Sequence, residues 1–182
     1  MKQHALVLLV VLLVPLSAFS EIEKVGQPCE SGICVAWWPK LMSAKGWHHE
    51  REQSFANGIN IQVPDGFTFS NAETVIYAKA LYKPRAPEIR SLDMLIKNDR
   101  EAFISGNPGI VITEAKAPKM ADGRSLKSFT FFPKRKGNWE RVSYGEEGDF
   151  YLIFTISSRS RAGFTAALSV YEQYIGQYKN GP

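Results

Sequence analysis

Histidines gather only once in the sequence, in His48-His49-Glu50. Neighbouring residues of a strand point to opposite faces, so His48 and His49 cannot grip one metal as an i, i+4 helical pair can. They are poor metal candidates, and no cofactor is expected. Ser/His/Asp catalysis would need one of them as base, yet no Gly-x-Ser-x-Gly or other nucleophile turn is present. Asp99 falls within an apolar helical stripe of Leu92, Leu95, Ile96, Ala102 and Phe103. Either a loop or an arginine satisfies it, or it is a carboxylate kept for a ligand. Lys134-Arg135-Lys136 reads as a hairpin tip that aids solubility or steers an acidic partner. Glu146-Glu147 sits on another tip, where solvent denies it the apolar pocket that raises the pKa of a catalytic acid. Glycines at 106 to 109 and 145 to 148 mark turns, since a phosphate cradle would precede a helix.

Cys29 and Cys34 are the only cysteines, with four residues between them. That spacing is not Cys-x-x-Cys and offers half a zinc site at most, so a local disulfide is the expectation. Trp37 and Trp38 follow directly. They either anchor a partner or cover an open edge or face of the sheet.

Residues 1–4 carry one positive charge, residues 5–14 are apolar, and Ala18-Phe19-Ser20 offers small residues at a cleavage site. This reads as a secretory signal cleaved after Ser20, with the product periplasmic or secreted. The apolar run is too short for a spanning helix, so no transmembrane anchor is expected. Of the 182 residues, 162 remain after removal of the first 20, enough for one domain with its own core. The signal takes away one lysine and no acid, which lowers the formal charge from +4 to +3. So small an excess lacks the concentrated basic footprint of a nucleic-acid binder.

The organisation read from pattern is an arm over residues 21–46 and a single domain over 47–182. The arm looks irregular, with a short helix from Pro39 to Lys45. Strands are expected at 47–54, 59–63 and 74–82, with Asn57-Gly58 as a hairpin signal. Ser91 caps a helix to about Ser105. Four further strands, at 109–116, 125–132, 138–144 and 149–157, form an antiparallel meander whose last member is apolar on both faces, as a central strand is. A closing helix over 161–178 carries Phe164, Leu168, Tyr171, Ile175 and Tyr178 on its inner face, and Glu172 on the outer. The class is α+β, with an antiparallel sheet flanked by helices in the order βββαββββα.

That order, with Val63-Pro64-Asp65-Gly66-Phe67 after an early strand, Trp139-Glu140-Arg141-Val142-Ser143-Tyr144 in the meander and a final aromatic amphipathic helix, resembles the PsbP/DcrB-like superfamily over about Trp47 to Lys179. The resemblance implies a non-enzymatic binding, assembly or accessory role and transfers no catalytic residue. Unlike the lipoprotein in that group, this chain has no cysteine at its cleavage point.

The leading functional expectation is an exported binding or accessory protein of the envelope whose partner is an unidentified protein or small ligand. A small periplasmic hydrolase assembled from His49, Glu50 and Asp99 is the alternative from another class, recognisable by a histidine and carboxylate converging in one pocket. A structural stabiliser of an envelope assembly is the third, recognisable by a large exposed apolar patch.

Overall fold

Among the described residues extended segments alternate with three α-helices: β1 (Ile22–Cys29), β2 (Gly32–Pro39), β3 (Trp47–His49), α1 (Arg51–Asn57), β4 (Asn60–Pro64), β5 (Thr74–Tyr82), α2 (Leu92–Gly106), β6 (Val111–Glu114), β7 (Lys127–Phe132), β8 (Trp139–Glu147), β9 (Phe150–Ser158) and α3 (Arg161–Gln177). The computed structural model describes residues 22–30 and 32–178, and the expected signal lies outside them. The fold is α+β, with antiparallel sheets throughout.

Strands β3 to β9 form one seven-stranded sheet in the order β3-β4-β5-β9-β8-β7-β6. The meander from β6 to β9 is present, and β9, apolar on both faces, is the middle strand. On one face Ile76, Ala78, Leu152, Phe154 and Ile156 pack against Phe164, Tyr171 and Ile175 of α3. On the other, Phe131, Val142, Tyr144 and Tyr151 pack against Leu95 and Ile96 of α2. Both long helices begin as the sequence implies, the Ser91 and Ser160 hydroxyls accepting the N–H groups of Met94 and Gly163.

The N-terminal region differs from its sequence reading. Among the described residues of 21–46 there is no helix; β1 and β2 pair antiparallel over eight residues each, and the Cys29–Cys34 disulfide crosses near the tip of this hairpin. Closing so short a loop contributes about 2 kcal/mol in the chain-entropy picture. The hairpin is part of the core: Ile22, Val25 and Trp38 are buried, and Ile22 and Ala44 join the α3-side cluster. Gly26 and Pro28 interrupt the strand pattern of β1, and partners found only in three dimensions supply the missing stability.

The expected strand at 47–54 stops at His49, and α1 begins at Arg51. Asn57-Gly58 closes that helix: Gly58 adopts φ 65° and ψ 30° and donates its N–H to the Phe55 carbonyl. A left-handed glycine serves a hairpin turn and a helix C-terminus equally well, and sequence alone does not separate the two uses. Gly145, read as a turn, lies inside β8 against Leu126.

Candidate functional site

Alternation along β8 sends Glu140 and Arg141 to opposite faces of the sheet, and both are buried, at 9% and 4% exposure. On the α3 side, Arg141 donates to Ser128 Oγ at 2.9 Å, to Glu172 Oε1 at 2.9 Å and to the Lys116 carbonyl. Glu172, read from the helix pattern as a solvated outer residue, is thus the partner of a buried cation. Glu140 faces the α2 side, opposite Ser157 of β9. The next rows of that face hold Thr155 and Tyr77, then Tyr144 and Lys79.

Helix α2 crosses this face with Phe103 stacked on Phe131, ring centroids 4.1 Å apart. One turn earlier Asp99 meets Tyr144, whose hydroxyl donates to Asp99 Oδ2 at 2.8 Å. The acid in the apolar stripe is therefore satisfied by a tyrosine and not by an arginine. Between the end of α2 and the β7–β8 turn lies a cavity of about 670 Å³. Asp99 and Glu140 line it, together with apolar Ala102, Phe103, Pro108 and Ile110. Asn107, which caps α2, closes one end by donating from Nδ2 to the Lys136 carbonyl. Gly137 has φ 135° and lies so near Asn107 that a β-carbon would collide with its amide.

Burial raises the pKa of both acids. For Asp99 the Tyr144 hydroxyl and Lys79 oppose the rise. For Glu140 the Ser157 hydroxyl and Asn138 amide oppose it, while Asp99 adds to it. No lysine, arginine or histidine nitrogen lies within 4 Å of either carboxylate among the described residues. A neighbouring cavity of about 550 Å³ between α2 and the β6–β7 edge is different, since its charges are matched. There Lys127 pairs with Asp93 at 2.5 Å and Lys97 with Glu101 at 3.8 Å.

An acid whose folded pKa exceeds its unfolded one holds its proton longer when folded, so its stability contribution falls as pH rises through that window. Asp99→Asn and Glu140→Gln keep the hydrogen-bond acceptors and remove the charge. Each is expected to raise the thermal midpoint at pH 7, with the gain vanishing at a pH below the ordinary carboxylate range. A midpoint unchanged at pH 7 would show both acids to be well solvated.

The other candidates fall elsewhere. His49 pairs in register with Gln62, and Gln62 with Ile76, which places it on the α3 side of the sheet, away from Asp99. Its Nε2 lies 3.0 Å from Ser54 Oγ, an apparent base and nucleophile. That hydroxyl, however, is fully buried, accepts the Ile61 N–H at 2.8 Å and donates to the Glu50 carbonyl at 2.8 Å. Its single proton is committed, so His49 is the donor in their contact and Ser54 ties α1 to β4. Burial lowers the His49 pKa, favouring the neutral ring. His48 lies 3.3 Å from Asp65 and 3.5 Å from Glu50 at the surface. Among the described residues no group of three His, Cys, Asp or Glu side chains is placed to hold a metal.

Trp38 is 1% exposed, edge-on to Phe55 and donating from Nε1 to Glu23 at 3.1 Å. Trp37 packs on Tyr82 and Phe150, under the Arg85 guanidinium. Lys134, Arg135 and Lys136 occupy the exposed β7–β8 turn, and Lys136 reaches the cavity wall. The sequence reading singled out Asp99 but missed Glu140, Asn138 and the two tyrosines. In β8 the order Trp-Glu-Arg-Val-Ser-Tyr leaves a charge on each face, and that was the available signal. The large exposed apolar residues Ile33, Met42, Phe67, Met94, Ile104 and Val111 are spread over the hairpin, two loops, α2 and β6. Among the described residues no helix is long and apolar enough to cross a membrane. No family model matches the sequence, and no curated protein matches it either.

Proposed function

We propose that the protein is an exported, non-enzymatic binding or accessory protein of the cell envelope that holds a small ligand in the cleft between α2 and the β7–β8 turn. The observation that carries this reading is the pairing of a cavity of about 670 Å³ with two carboxylates in its lining, Glu140 buried and Asp99 partly buried, neither of which has an ion-pair partner within 4 Å among the described residues. Ligand sites are concave, mostly apolar and furnished with a few convergent polar groups, and buried acids of raised pKa cluster in them. The disulfide fits an oxidising compartment outside the cytoplasm. A hydrolase built on His49, Glu50 and Asp99 finds no support, because His49 and Asp99 lie on opposite sides of the sheet. Kinship with the PsbP/DcrB-like group belongs to the same proposal. It is supported by a sheet with a long C-terminal helix on one face and a shorter helix on the other, α1 being an addition to the expected order.

Ala102 is exposed on α2 and lines the cleft, so Ala102→Trp fills the space with a stability change of roughly 0.5 kcal/mol, as for other exposed sites. In a thermal-shift screen with small polar and amphiphilic compounds, ligands at about a hundred times their Kd stabilise the wild type by about 2.7 kcal/mol. The variant is expected to lose those shifts. Equal shifts in both proteins would place binding elsewhere and overturn the assignment.

A further inference from the structure

Resting on that binding reading, we infer that the cleft selects an organic cation, an ammonium or guanidinium group carried on an apolar body. Buried carboxylates elsewhere in proteins are paired with a cation or stay protonated. In this chain the cation nearest to Glu140 in sequence, Arg141, is turned by the strand pleat to the far side of the sheet and committed there to Glu172. The groups facing the two acids are otherwise hydroxyls and amides: Tyr77 from β5, Tyr144 from β8, Thr155 and Ser157 from β9, and Asn138 from the turn. Two lysines also face the site, Lys79 from β5 and Lys136 at the cleft mouth. Both are exposed and beyond ion-pair distance, so solvent screens them. Among the described residues neither Asp99 nor Glu140 thus has a cation at ion-pair distance, and the more distant Lys79 and Lys136 are left to solvent.

The rest of the lining decides what carries that charge. Calcium takes six to eight oxygen ligands, and the lining offers two carboxylates and the Asn107 and Asn138 amides among mostly apolar neighbours. Ala102, Phe103, Pro108 and Ile110 instead offer an apolar wall to an alkyl or aromatic body. Because a bound cation favours the ionised form of both acids, affinity is linked to pH. Binding tightens as pH rises through the range in which Asp99 and Glu140 ionise.

Calorimetric titration of the mature protein with phenethylammonium, its neutral isostere 2-phenylethanol, the anion 3-phenylpropionate and calcium chloride tests this. At pH 7 the expected result is phenethylammonium binding at least tenfold more tightly than either isostere, a preference that shrinks toward pH 4. Asp99→Asn and Glu140→Gln are expected to erase the preference while leaving 2-phenylethanol binding in place. If either isostere binds the wild type as tightly as the ammonium, the charge selection is overturned while the cleft stands as a binding site. Tighter binding of calcium than of the ammonium overturns it in favour of a metal. If no probe binds, the binding reading falls with it.

Discussion

Truncation of Trp38 to alanine is expected to destabilise the protein by about 3–5 kcal/mol, the range for large aromatic residues removed from a core. The ring fills the space between the β1–β2 hairpin and α1, edge-on to Phe55 and to His49, whose centroid lies 6.3 Å away. Its loss also strips the Glu23 carboxylate of the Nε1 donor. Trp37, half-buried against Tyr82 and Phe150, is expected to cost less when truncated, since part of its surface already meets water. Equilibrium denaturation of the two single variants checks both values. A Trp38→Ala protein within 1 kcal/mol of the wild type would mean that the hairpin is a detachable arm and that its tryptophans are free to anchor a partner.

Arg141→Met is expected to cost about 3 kcal/mol. Methionine occupies similar volume but donates nothing, so the Lys116 carbonyl and the Glu172 carboxylate lose a charge-assisted partner, each such bond being worth about 1.5–3 kcal/mol. The guanidinium also lies over the Tyr171 ring, 5.6 Å from its centroid. Glu172→Ala takes one partner from the buried guanidinium but leaves its bonds to Ser128 and the Lys116 carbonyl, so it is expected to cost less, about 1.5 kcal/mol, the lower end for a bond to a charged group. Thermal unfolding of both variants separates the effects. Equal losses would show that Arg141 contributes nothing beyond its exposed ion pair.

Legibility in the sequence followed the range of the interactions involved. Helices α2 and α3 were readable because their apolar positions recur at helical spacing, with Ser91 as a local cap for α2. The β6–β9 meander was readable because short glycine turns permit only antiparallel neighbours. What stayed hidden was settled between distant segments. Strands β1 and β2 carry a broken alternation and gain their stability by packing Ile22 and Trp38 onto the domain. Asn57-Gly58 suits two structures, and the Ser54 hydroxyl, joining α1 to β4, accompanies the helical one. At the cleft, Asp99 was conspicuous because it breaks a helical stripe. Glu140 was not, since on a strand a charge at alternate positions is what any solvated face shows, and only the crossing of α2 above β8 makes that face an interior.

The central claim, that the space between α2 and the β7–β8 turn is a ligand site, is tested most directly by mapping amide chemical shifts in the isotope-labelled protein as phenethylammonium is added at pH 7. The account predicts shifts concentrated on residues 99–110 and 136–140, and their loss in Ala102→Trp. Shifts centred on the β1–β2 hairpin or on the Trp47–Phe67 surface, and unchanged in that variant, would contradict it.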